Sequence, residues 1–187
     1  MTWTPSVKQC FTPDTFREYV KSLALADAAW KPQFVVLHNT GTPNLLQRPA
    51  GFTSQHMSNF DTFYRDQQHW SAGPHLFIDD IRIWAYTPLT HPGVHSPSWN
   101  AVSWGVEMLG DYDTDVFKYG RGANVRANAA DAIATLMTAR GWPADVAHLR
   151  LHHEDPLTTH HDCPGANVAK PDMLSAIAAS MKSNPAL

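Results

Sequence analysis

The sequence predicts an α/β fold, a single domain in which a central mixed sheet of about five or six strands is flanked by helices. Three observations carry this. Strand-like and helix-like stretches alternate along the chain instead of grouping by type. The length of 187 residues suits one domain, whose folding buries about 70% of the surface of the unfolded chain. Apolar residues make up 43% and aromatic residues 11%, enough for a full core and too many for a disordered chain.

The elements follow in order. Thr12-Pro13-Asp14 is a helix start, a cap residue followed by proline and an acid, and Phe16, Val20 and Leu23 repeat at helical spacing behind it. This helix is expected to run to about Ala29, where Trp30-Lys31-Pro32 breaks it. Gln33 to His38 reads as a short buried strand with His38 at its C-terminal end. Residues 39–51 are loop-rich, and Thr53 or Ser54 caps a second helix with Met57, Phe60, Phe63 and Tyr64 on one face. His75–Asp79 and Ile81–Tyr86 read as two strands joined tightly at Asp79-Asp80. In Ser103–Leu109 the two-residue period sends Trp104, Val106 and Met108 to one side and Ser103, Gly105, Glu107 and Leu109 to the other. Glu107 is therefore an acid in a core-like strand. Val125 to Met137 forms an amphipathic helix stopped by Gly141 and Pro143. Ala147–His152 is a last strand, with His148, Arg150 and His152 on one face, and a helix from about Pro171 to Met181 closes the chain.

Lys+Arg is 14 against Asp+Glu 17, a formal charge of −3, so no nucleic-acid partner is expected. With no run of 18 or more apolar residues, no membrane insertion is expected either. Met1 to Cys10 lacks the basic start and apolar stretch of a secretory signal, so synthesis in the cytoplasm is the expectation. The chain is expected to act as a monomer. Eleven histidines against two cysteines exclude a disulfide scaffold and make any metal site mainly imidazole.

Five histidines lie between 148 and 161, and Cys163 follows at once. Thiolate and neutral imidazole are the ligands zinc prefers. The spacing matches no simple repeated-pair zinc motif, so a zinc site and a polar surface loop both remain open at this point.

Four ordered segments bear on that choice: Val36-Leu37-His38-Asn39-Thr40-Gly41, Gly93-Val94-His95-Ser96-Pro97-Ser98-Trp99-Asn100, Ser103-Trp104-Gly105-Val106-Glu107-Met108-Leu109-Gly110, and His152-His153-Glu154 running on to Cys163-Pro164-Gly165. On these the chain resembles the zinc-dependent N-acetylmuramoyl-L-alanine amidases that share a fold with peptidoglycan recognition proteins, phage and prophage endolysins in particular. The resemblance spans residues 33 to 183 or so and leaves out the first 30, an N-terminal extension carrying a helix. It implies one catalytic domain over 1–187 with no separate wall-binding domain, and peptidoglycan as substrate.

The resemblance also implies site residues. One Zn²⁺ per chain falls to His38, His152 and Cys163, the last of which is Asp in some relatives. His153 is the rival to His152, but strand alternation turns it to the opposite face. Three protein ligands leave a fourth position for water, the arrangement of a catalytic zinc. Glu107 matches the glutamate some relatives place beside the metal, with a buried structural hydrogen bond as its other reading. Other relatives carry a tyrosine one residue before the position of His75, where this chain has Pro74. Many relatives carry a lysine two residues before the third ligand, and here His161 stands in its place as the oxyanion donor. An imidazolium loses its charge near neutral pH, so activity should fall off earlier on the alkaline side than with lysine. Thr40, His95, Trp99 and Asn100 lie in loops of the matching segments, where they line a substrate groove or merely order those loops.

The implied activity is hydrolysis of the amide between N-acetylmuramic acid and L-alanine of the stem peptide. An endolysin made in a bacterial host's cytoplasm and released to the wall in the periplasm is the expected biology. The alternatives are a cytoplasmic muropeptide-recycling amidase, an injected antibacterial effector, a zinc hydrolase of another amide, and a non-catalytic peptidoglycan-binding module. Cys163 argues against the last of these, because non-catalytic relatives typically lack the thiolate.

Overall fold

A capping box opens the first helix, α1 (Pro13–Ser22). The Thr12 hydroxyl accepts from the Thr15 N–H, and the Thr15 hydroxyl accepts from the Thr12 N–H. Such a cap contributes about 1 kcal/mol. The helix ends seven residues before the expected Ala29. Ala24 takes a left-handed conformation (φ 46°), which brings Leu25 into the core and its carbonyl within reach of the Arg140 guanidinium. Here tertiary packing overrides the helix propensity of an alanine-rich segment. The computed structural model describes residues 2–184.

The remaining elements are β1 (Gln9–Phe11), β2 (Phe34–Asn39), α2 (Ser54–Asp61), β3 (Leu76–Ile78), β4 (Ile83–Ala85), β5 (Ser103–Met108), α3 (Gly120–Arg140), β6 (Leu149–Leu151) and α4 (Lys170–Ser183). The six strands form one mixed sheet in the order β1-β4-β3-β5-β2-β6. β3, β5, β2 and β6 run parallel to one another, while β4 is antiparallel to both β3 and β1. The expected α/β class and strand number therefore hold. No helix among the described residues is long and apolar enough to cross a membrane.

β1 is an addition to the expected set. Its three residues are too few to show a period, and it exists because the edge of β4 offers unpaired backbone groups. The N-terminal segment is sewn on further by Lys8 and Ser6, which both hydrogen-bond to the Asp61 carboxylate at 2.6 Å. The extension is thus part of the sheet as well as the carrier of α1.

Residues opposed in neighbouring strands point to the same side. Val35, Leu37, Trp104, Val106, Leu76 and Ile78 face α3, which lies on the sheet with α1 and α4 beside it. The register His38–Glu107–Phe77 runs across β2, β5 and β3 on the opposite face. There Phe60 of α2 stacks on Phe77, with centroids 4.5 Å apart. The second helix does not continue as expected: Thr62–Gln67 widens into a π-helical turn. Met57 and Tyr64 are buried, but the wider turn swings Phe63 out to 41% exposure. Asp79 holds the β3–β4 turn, its carboxylate accepting from the backbone N–H groups of Phe52, Ile81 and Arg82.

Candidate metal centre

β2, β5 and β6 are parallel neighbours, so their C-terminal ends share one edge, the usual place for a site in an α/β sheet. His38 occupies the end of β2, and His152 follows β6 in a single 3-10 turn, His152–Glu154. Cys163 arrives from the loop beyond. One nitrogen of each histidine and the Cys163 sulfur all lie within 4.8 Å of one another. His38 Nδ1 stands 4.0 Å from Cys163 Sγ.

The donor set fits zinc, whose ligands sit at about 2.0–2.3 Å in a tetrahedron. Burial holds His38 neutral well below the ordinary imidazole range, helped by the neighbouring His152, His95 and His160. Burial takes His152 down to about 4, so both rings keep a lone pair at neutral pH. Burial also pushes the Cys163 thiol up, so a cation must displace its proton on binding. Each histidine also has a ring nitrogen on a neighbour: His38 Nε2 lies 3.1 Å from His95 Nδ1, and His152 Nε2 lies 3.0 Å from the Thr158 hydroxyl.

A groove of about 630 Å³ opens over this cluster. Glu107 points into it from β5, beside His38 in register. Burial is the sole cause that moves its carboxyl, up to about 8, and no protein group hydrogen-bonds to it among the described residues. His161 is exposed on the groove wall. Pro74 also lines the groove, where it offers no hydroxyl. The last strand stops at Leu151, short of the expected His152, so it is the 3-10 turn and not strand alternation that orients His153, whose backbone N–H and Nδ1 both sit on the Cys163 carbonyl, at 2.9 and 3.0 Å.

The four candidate substrate residues divide. Thr40 lines the groove, with its hydroxyl donating to the Pro43 carbonyl at 2.6 Å and accepting from the Gly110 N–H. His95 borders the groove but is only 8% exposed and is spent on His38. Trp99 and Asn100 are outside the groove lining, which leaves the second of their two readings, the ordering of the loop. Trp99 packs edge-on against Phe34 with the Arg150 guanidinium over its ring, and Asn100 Oδ1 accepts from the N–H groups of His95 and Ser96. Both order the 93–100 loop, because an apolar ring beside a buried strand gains more from packing than from water.

The structure adds residues that the sequence reading did not place. Phe63, Tyr64 and Trp70 form an aromatic wall of the groove, with Tyr64 and Trp70 stacked at 5.3 Å. The only sequence signal was aromatic density around the second helix, since a π-helical turn leaves no periodic trace. Buried Asp155 accepts from the Ser96 hydroxyl and the Ser98 N–H, tying the metal loop to the 93–100 loop.

The profile of a family described as N-acetylmuramoyl-L-alanine amidase matches residues 28–166. Among solved structures the chain is similar to the N-acetylmuramoyl-L-alanine amidase LysC from Clostridium intestinale URNW, at 20% identity and a TM-score of 0.60 over 94% of this chain and 91% of that one. It is also similar to the Ph2119 endolysin from Thermus scotoductus MAT2119 bacteriophage Ph2119, at 21% identity and a TM-score of 0.58 over 79% and 85% of the two chains. Peptidoglycan-recognition protein SC2 of Drosophila melanogaster is 21% identical over 137 residues, 72% of this chain and 69% of that protein.

Proposed function

The chain belongs to the N-acetylmuramoyl-L-alanine amidase family, and from that membership we propose a zinc-dependent peptidoglycan hydrolase that cuts between the lactyl group of N-acetylmuramic acid and L-alanine of the stem peptide. His38, His152 and Cys163 hold one zinc ion per chain, which when bound supplies Lewis acidity to the scissile carbonyl and to the attacking water. Glu107 takes a proton from that water and returns it to the departing L-alanine nitrogen. His161 donates to the carbonyl oxygen as negative charge builds on it. Water is thereby added across the C–N bond, leaving a lactyl carboxyl group and a free amine. Thr40 and the aromatic wall line the path of the substrate.

The observation that carries this reading is the meeting of two imidazole nitrogens and a sulfur within 4.8 Å of one another, in the same groove as an acid with no hydrogen-bond partner among the described residues. A structural role for Glu107 would call for a partner to its carboxyl group. Similarity to a phage endolysin supports the biology of a lytic enzyme made in a bacterial cytoplasm and released to the cell wall. Digestion of purified sacculi followed by mass spectrometry tests the reaction. Free N-acetylmuramic acid carboxyl groups and new L-alanine amino termini are expected. A different new amine would assign another bond, and no new amine would leave only a binding module.

A further inference from the structure

Resting on the zinc reading above, we propose that His95 is a positioning residue: it sets the tautomer of His38 and thereby presents a bare Nδ1 lone pair to the metal. The argument is a proton count that begins at a carbonyl. His95 Nε2 lies 3.3 Å from the Ser103 carbonyl oxygen, which can only accept. The proton of this neutral, buried ring is therefore on Nε2, and Nδ1 is left as an acceptor. His38 Nε2 lies 3.1 Å from that acceptor, with the two rings perpendicular, so His38 must donate from Nε2. A neutral imidazole carries one proton, so His38 Nδ1 is bare. This is the nitrogen facing Cys163 Sγ. The opposite tautomer at His38 would set two lone pairs against each other across the 3.1 Å contact and put a proton where the metal belongs.

The fold holds His95 in place from three sides. Its ring packs against Gly105 of β5, where a Cβ would stand 2.4 Å from the ring. Its own N–H donates to Asn100 Oδ1 at 2.7 Å. The loop that carries it is fixed by Asp155 through Ser96 and Ser98. Asn100, Gly105 and Asp155 thus have a shared purpose that reaches the metal through one imidazole.

Two measurements test this. Nitrogen-15 NMR of the histidine rings in the full chain, stripped of metal by chelation, should find His38 protonated at Nε2 and bare at Nδ1. A proton on Nδ1 would overturn the proposal without any reference to zinc. Zinc affinity, read by competition with a chromophoric chelator, should fall by about 10–100-fold in His95→Phe, which keeps a ring and loses both nitrogens. His95→Asn keeps an acceptor near the Nδ1 position and should recover most of that loss. Equal affinity in His95→Phe and the parent chain, or an Asn variant no better than Phe, would overturn it. A parent chain that takes up no zinc would instead refute the zinc reading, and the NMR result would still decide the tautomer.

Discussion

Replacing Glu107 with glutamine keeps the shape of the side chain and removes its ability to take a proton, so it separates catalysis from packing. Burial raises the Glu107 carboxyl from 4.5 to about 8 in the metal-free protein. The native state therefore binds this proton more tightly than the unfolded chain does, and stability falls as pH rises from about 4.5 to about 8. At about 1.4 kcal/mol per pH unit the span sets a ceiling of about 5 kcal/mol. Groove solvent reaches part of the carboxylate, so roughly half of that, about 2–3 kcal/mol, is expected. Glu107→Gln carries no such penalty. In urea denaturation of the chelated protein the variant should match the parent near pH 4.5 and exceed it by that margin at pH 8.5. Its turnover on purified sacculi should fall by about 10²-fold or more. A gain in stability joined to a loss of turnover is the pattern of a functional acid. Turnover within tenfold of the parent, or a variant less stable at pH 8.5, would refute the reasoning.

Cys163→Ser should lose its zinc on dialysis against zinc-free buffer, and metal analysis showing one zinc per chain with unchanged affinity would contradict the assignment. Trp99→Ala should lower stability by about 1–2 kcal/mol, because the half-buried ring packs on Phe34 beneath Arg150, and should leave KM on peptidoglycan unchanged. A raised KM would return Trp99 to the substrate groove. Burial alone would raise the Asp61 carboxyl, but hydrogen bonds from Lys8, Ser6 and Tyr86 hold it below the ordinary carboxylate range. Its contribution is therefore present above about pH 4 and lost as pH falls through the lowered value, so Asp61→Asn should flatten the acid limb of the stability profile. An unchanged acid limb would mean that the N-terminal segment is held by its backbone pairing alone.

Much of this arrangement was legible in the sequence wherever a period or a residue type carries the information. Alternation in Ser103–Leu109 sent Glu107 to the side opposite Trp104 and Val106, and the sheet register agrees. Alternation did not carry over to His152 and His153, because a 3-10 turn replaces the strand after Leu151. Aromatic spacing failed at Phe63, because a single π-helical turn shifts the face without altering the composition. The helix end at Ser22 has no local signal, because Leu25 is drawn into a core made by distant residues.

The sequence by itself determined the layer architecture and the chemical cast: two strand-end histidines, a thiol, and an acid in an apolar strand. These depend on local geometry, which repeats every two or 3.6 residues. Only the tertiary structure decided which of the loop residues near the site meet it. His95 reaches His38 across 57 positions, and Trp99, four residues further on, turns to Phe34 instead. The physical reason is that such contacts depend on how a loop closes over a strand. That closure is set here by the missing side chain of Gly105 and the buried carboxylate of Asp155, and neither acts until the sheet has formed.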